Sequence, residues 1–265
     1  MTPQMILNAD IISAINNYAP LSLQEKWDNS GVQLGDVTAP CRGVLLCVDV
    51  TEQVVAEAAR RGCNLIVSHH PLLFKGLRNI TGSTPVERAV IAAIRGGITV
   101  YSGHTSLDSA PGGISHCMVR MLGARFESVL EPSAPGAETG LGAVAVFETP
   151  LNEDAFVRLV KDTFGSSVCR CSRPAGRNIE RLALCGGSGG EFIPRAVASG
   201  AQAYLTSDVR YHDFVDHGGD IFIVDIGHYE SESCAKQIFY RIISEKFPNF
   251  AVYYSQTEQN PINYL

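Results

Sequence analysis

An α/β fold with mainly parallel strands is predicted by three features of the sequence. Short apolar runs rich in Val, Ile and Leu alternate with segments of helical period. Those runs are almost continuously hydrophobic, as in strands buried on both faces. Several of them end abruptly in histidine or aspartate, at the strand ends where open α/β sheets place their ligands. Asn64-Leu-Ile-Val-Ser-His69-His70-Pro71 shows all of this at once. Leu65 to Val67 read as a buried strand, two adjacent imidazoles follow, and Pro71 forbids further regular pairing. A lone histidine at such a place is more often a satisfied structural residue. An adjacent pair at a strand end favours ligands, because neutral imidazole is the commonest nitrogen donor to metals.

In chain order, Asn8 is expected to cap a helix that carries Ile11, Ile12 and Ile15 on one face, with Pro20 beyond its end. Trp27 to Asp36 is polar, holds Gly31, Gly35 and the only tryptophan, and reads as an ordered loop entering a short strand. Gly43 to Val48 is a buried strand ending at Asp49. Thr51 then caps a helix carrying Val54, Val55 and Ala58, so the strand ending in His69 and His70 completes a β-α-β unit. Thr84-Pro85-Val86-Glu87 combines an N-cap, a proline at the first helical position and a capping-box glutamate. That helix stops at Gly96-Gly97. Ile98 to Tyr101 is a third strand, followed directly by His104 and Asp108, and a helix opens after Pro111-Gly112-Gly113.

Glu131 to Gly140 reads as a linker, after which the pattern restarts. Gly142 to Phe147 is a strand, Asn152 caps a helix, and Arg181 to Leu184 is a further strand. Cys185-Gly-Gly-Ser-Gly-Gly190 reads as a tight turn whose amides can cradle a phosphate, although it lacks the P-loop ending and the dinucleotide spacing. Tyr204 and Leu205 form a short strand before Asp208. Ile221 to Val224 form another, ending in Asp225 and leading into one long helix from His228.

Composition narrows the function classes. The chain has 265 residues, 45% hydrophobic and 18% charged, ample for a sizeable core. A net charge of -6 argues against general nucleic-acid binding. The one basic cluster, Arg170, Arg173, Arg177 and Arg181, reads as a solvated loop that can meet an anion. The eight cysteines are scattered without a C-x-x-C pair, which fits reduced thiols in the cytoplasm rather than a disulfide framework. No secretory leader and no membrane-spanning run is expected.

Four apolar runs end in metal-competent residues: Asp49; His69 and His70; His104 and Asp108; Asp225, His228 and Glu232. In one parallel sheet these ends would share an edge. His228 and Glu232, at i and i+4, fall on one helical face. Imidazoles mixed with carboxylates suit zinc, iron or manganese better than magnesium, and their number exceeds the need of one catalytic ion.

Four ordered blocks carry a resemblance over nearly the whole chain. They are Trp27-Asp28-Asn29-Ser30-Gly31, Ser68-His69-His70-Pro71, His104-Thr105-Ser106-Leu107-Asp108-Ser109-Ala110-Pro111-Gly112-Gly113 and Gly227-His228-Tyr229-Glu230-Ser231-Glu232. The chain resembles the Ngg-interacting-factor-3-like proteins, known in bacteria as GTP cyclohydrolase 1 type 2 homologs. The resemblance implies two α/β lobes, here 1–130 completed by 207–265, and 131–206, with a dinuclear metal site in the cleft between them. It also implies a toroidal homohexamer. The implied ligands are His69, His70, Asp108, His228 and Glu232, with Glu232 bridging two divalent transition-metal ions and His104 beside them. Gly103, Ser106 and Ser207 depart from the usual pattern without removing a ligand. Two function classes follow. One is a metal-dependent hydrolase acting on a nucleotide or another phosphorylated or ring-amide substrate. The other is a metal-holding or protein-interaction protein without catalysis.

Overall fold

A computed structural model describes residues 5–264. The chain opens with α1 (Asn8–Tyr18), β1 (Gly31–Leu34), β2 (Val44–Cys47), α2 (Glu52–Arg61), β3 (Leu65–Ser68), α3 (Pro85–Arg95), β4 (Thr99–Ser102) and α4 (Thr105–Asp108). It continues with α5 (Ile114–Met121), β5 (Arg125–Pro132), β6 (Gly140–Asn152), α6 (Glu153–Phe164), β7 (Arg170–Cys171) and β8 (Asn178–Ser188). The last elements are α7 (Ile193–Ala198), β9 (Ala203–Ser207), α8 (Tyr211–His217), β10 (Phe222–Asp225), α9 (His228–Glu232), α10 (Ala235–Lys246) and β11 (Val252–Tyr254). No helix among the described residues is long and apolar enough to cross a membrane.

Two compact units result, Met1–Leu107 with Ala235–Gln259 and Asp108–Cys234 with Asn260–Leu265. The first holds a sheet in the order β1-β4-β3-β2-β11, parallel except for β1 at its edge. Leu45, Ile66 and Val100 bury one of its faces against Val54, Val55 and Ala58 of α2 and Ala89, Val90 and Ala93 of α3. The expected helix starts are present. Thr51 accepts from the Val54 amide at 3.3 Å and Thr84 from the Glu87 amide at 3.2 Å. Glu87 reaches further back than a capping box requires, accepting from the Thr81 and Ser83 amides. Asn8 is not a cap. It is the first residue of α1, where its side-chain amide donates to Thr99, while Asp10 accepts from the Leu7 amide.

The second unit differs from the expected parallel pattern. Its sheet runs β5-β6-β8-β9-β10-β7, with only β8, β9 and β10 parallel. Residues 131–140 are the end of an antiparallel hairpin rather than a linker, with Glu131 opposite Leu141 and Pro132 opposite Gly140. β9 and β10 extend this sheet, so residues 207–234 do not complete the first sheet as the sequence suggests. The strand ends therefore fall on two sheets and share no single edge. Ile193 and Ala196 of α7 pack on Val144, Ala183, Tyr204 and Ile223, while α5 and α6 pack against β6 and β8. The long helix expected from His228 is two helices, α9 ending at Glu232 and α10 starting at Ala235.

Candidate metal centre

The first donor group grows out of β3. The ladder continues two residues past β3 and one past β2, because His69 N–H donates to Cys47 O and His70 N–H to Val48 O. Ser68 and Ser102 hydroxyls both bond the His70 carbonyl, at 2.8 and 3.1 Å, which holds the two imidazoles at the sheet's end. The fully buried His69 places Nδ1 3.0 Å from the Gly103 carbonyl. A carbonyl only accepts, so Nδ1 carries the proton and Nε2 is the acceptor nitrogen. His70 Nδ1 lies 2.8 Å from Asp49 Oδ1, and His104 Nδ1 lies 2.7 Å from Asp28 Oδ1.

Asp28 is the anchor of this group. Its side chain is 0% exposed, and its other oxygen accepts from the Thr105 amide and hydroxyl and from Ser30 Oγ. Burial pushes its carboxyl up, but hydrogen bonds from His104, Thr105 and Ser30 outweigh burial and hold it well below the usual carboxylate range. A fixed negative charge thus stands behind His104. One nitrogen each of His69, His70 and His104 lie within 4.8 Å of one another, so the three can hold a metal ion.

The second donor group lies at the start of α9, in the other unit. His228 and Glu232 face the same way, with Nε2 and Oε2 3.0 Å apart. His228 Nδ1 is 2.7 Å from Asp208 Oδ2. Asp208 follows β9 with φ +53°, a left-handed conformation that a side chain adopts at a cost of ~1–2 kcal/mol and that aspartate tolerates better than most. Burial pushes the Cys185 thiol far above its usual range, and the nearby carboxylates of Asp108 and Glu232 push it further. Asp108 and Glu232 therefore both lie near Cys185. Asp225 serves the backbone instead, accepting from Arg170, the Val209 amide and the Gly227 amide, and so fixes the turn into α9.

The family model described as Duf34/NIF3 (NGG1p interacting factor 3) matches residues 6–261. The chain belongs to the DUF34/NIF3 family. It is 35% identical over 226 residues to a GTP cyclohydrolase 1 type 2 homolog of Clostridium perfringens, covering 84% of this chain and 86% of that one. A protein of the same name from Lactococcus lactis is 33% identical over 264 residues, covering 96% and 97%. In fold, the chain matches a Bacillus cereus protein related to NIF3 with a TM-score of 0.92, at 23% identity, over 99% of this chain and 100% of that one.

In this NIF3-family chain the glycine-rich stretch is a strand end rather than a phosphate cradle. β8 runs through Ser188, and the Gly187 amide donates to Ser231 Oγ at 2.9 Å. A Cβ on Gly187 would overlap Glu232 Oε1 and lie 3.1 Å from its Cδ, so glycine here makes room for the glutamate. The basic cluster is largely spent within the protein. Arg170 pairs with Asp225, Arg181 with Glu127, and Arg177 donates to the carbonyls of Gly219 and Asp220.

Sequence reasoning missed the orienting carboxylates. Asp28, Asp49 and Asp208 each hold a histidine through Nδ1. The signals available were the polar block around Trp27 and the position of Asp208 directly after a strand, but neither says which histidine would be met.

Proposed function

We propose that the protein binds two divalent transition-metal ions (zinc, iron or manganese) and hydrolyses a small-molecule substrate, a nucleotide or another phosphorylated or ring-amide compound. The ligands are His69, His70, Asp108, His228 and Glu232, with Glu232 bridging and His104 beside the ions. The observation that carries this reading is that all four histidines are oriented through Nδ1 by an oxygen acceptor, three of them by a carboxylate. That is how proteins set the tautomer and aim of metal-binding imidazoles and raise their basicity. The donor types suit borderline divalent ions.

Ions of this kind supply Lewis acidity that makes water a nucleophile at neutral pH and offsets charge on a phosphoryl or carbonyl oxygen. The chain's own residues do the rest. Asp49 and Asp208 stop His70 and His228 from rotating, and Asp28 holds the His104 ring through Nδ1 so that its Nε2 stays aimed away from the carboxylate. The name shared by the curated relatives supports the nucleotide class. The resemblance also supports a homohexamer, and eight free cysteines agree with a reducing, cytoplasmic setting.

Elemental analysis of gently purified protein tests the metal site, and turnover on a nucleotide panel tests the enzyme. About two ions per chain and metal-dependent turnover lost in His70→Ala are expected. A reproducible value near zero that added zinc, iron or manganese does not restore would overturn the reading. Tight metal retention without turnover would remove the hydrolase assignment alone. Light scattering that gave a mass near 28.5 kDa would exclude the oligomer.

A further inference from the structure

The chain's only tryptophan is not in the core. Trp27 is 60% exposed and Phe74 is 48% exposed. Their ring centroids are 6.0 Å apart, and each stands close to the imidazole of His104, at 6.0 Å from Trp27 and 6.1 Å from Phe74. Three rings thus form a nearly equilateral triangle, all mutually edge-on, at interplanar angles of 68°, 72° and 84°. His104 in turn lies 5.3 Å from His69 and 5.5 Å from His70, ring centre to ring centre. Two large, about half-exposed aromatic side chains therefore stand at the edge of the histidine group.

This arrangement is built rather than incidental. Asn29 Nδ2 donates to the Leu73 carbonyl at 2.9 Å, and Gln33 Oε1 accepts from the Leu73 amide at 3.0 Å. Both polar groups of Leu73 are thereby clipped, which fixes the start of the loop carrying Phe74. Trp27 is fixed from the other side by its neighbour Asp28, anchored on His104, Thr105 and Ser30. The covered Gln33 and Asp28 side chains and the exposed Asn29 hold two apolar rings out in solvent, where core packing gains nothing from them. Exposed aromatic rings held rigid in this way are suited to stacking a planar ring, because every heteroaromatic base has a π-face. Lys75 follows Phe74 directly, exposed and without an ion pair among the described residues, and can meet an anionic group attached to such a ring.

The geometry points to a substrate-recognition platform formed by Trp27 and Phe74, which stacks the planar heteroaromatic ring of a nucleoside or nucleotide beside His104. The inference rests on the metal-site reading for the identity of the reacting group, and it adds which part of the substrate is recognised and by what. Asp28 and Asn29 then act as positioning residues, the first for His104 and the second for Phe74.

Because Trp27 is the only tryptophan, intrinsic fluorescence of the full-length, metal-loaded protein reports on this place alone. Guanosine and guanosine monophosphate are expected to quench it saturably, and ribose 5-phosphate is not. By calorimetry, Trp27→Leu and Phe74→Leu should each weaken guanosine monophosphate binding about tenfold or more, as loss of a base-stacking ring does, while Trp27→Phe restores most of it. The ion count should be unchanged in all three variants, since none of these side chains is a ligand.

The platform is overturned if ribose 5-phosphate quenches as well as the nucleoside, or if Trp27→Leu binds guanosine monophosphate as wild type does. It is also overturned if Trp27→Leu loses metal, which would make the residue a structural support. An emission change that tracks rising molecular mass without ligand would make the rings a self-association surface and likewise sink the proposal. Ring-specific quenching in wild-type protein that takes up no added zinc, iron or manganese would support the platform while refuting the metal reading, so the two fail separately.

Discussion

Gly187→Ala separates the stability of this chain from its capacity to hold metal. Gly187 has φ +65°, and so does Gly165 at the end of α6 in the same unit. A side chain in that conformation costs ~1–2 kcal/mol in the native state, of which ~0.4–1 kcal/mol is recovered from the stiffer unfolded chain. At Gly165 nothing lies within 4 Å of the added methyl, so Gly165→Ala should cost about 1 kcal/mol and leave metal binding unchanged. At Gly187 the methyl meets the carboxylate of Glu232, the free end of a flexible side chain. Glu232 can rotate away for about 1 kcal/mol more, so the fold survives. Its carboxylate then no longer stands beside His228, and metal affinity should fall by about 10–100-fold or further. Urea denaturation of metal-free protein and competition against a chelator measure the two effects. Wild-type metal affinity in Gly187→Ala would refute both the ligand role of Glu232 and the reason given for this glycine.

Three further outcomes are expected. Glu232→Gln should fold normally by circular dichroism yet lose at least one ion and all hydrolytic activity, because the amide presents a donor nitrogen where the carboxylate presents a second oxygen; retention of two ions with unchanged affinity would exclude the bridge. Asp28→Asn should lower turnover by about 10–100-fold while two ions remain bound, since Asp28 orients His104 and touches no proposed ligand; unchanged turnover would show that His104 needs no such anchor. Glu57 concerns acid stability. Burial raises its pKa, but hydrogen bonds from Ser255, Gln256, Arg61 and Thr257 outweigh burial and bring it from 4.5 to about 2. A depressed pKa stabilises the fold above the unfolded value and is lost as pH falls from 4.5 to about 2. In metal-stripped protein the native chain should therefore exceed Glu57→Gln by of order 2 kcal/mol at neutral pH, and the gap should close over that window. A gap independent of pH would contradict the assignment.

The proposed ligands and the residues that aim them differ in how far the sequence reveals them. His69 and His70 are adjacent at the end of an apolar run, and His228 and Glu232 are spaced by one helical turn. Both are local patterns: His69 and His70 directly follow β3, and His228 and Glu232 lie on one helix, although that helix, α9, is shorter than expected. The orienting partners are not local. Asp28 lies 76 residues before His104 and Asp208 lies 20 before His228, and no periodicity links such pairs.

The same distinction runs through the whole fold. Apolar run length, helix caps and the β-α-β alternation are carried by neighbouring residues, so the sequence by itself determined an α/β chain, its first parallel sheet and the helix starts at Thr51, Thr84 and Asn152. The family was legible for a related reason, since its four blocks are short and contiguous. Which sheet a strand joins depends on pairing across tens of residues. Only the tertiary structure placed β9 and β10 in the second sheet, turned the expected linker at 131–140 into a hairpin, and made the expected glycine turn a strand. A buried strand has the same hydrophobic signature whichever neighbour it pairs with. The glycines of β8 take their meaning from Glu232, a residue of another element brought against them by the fold.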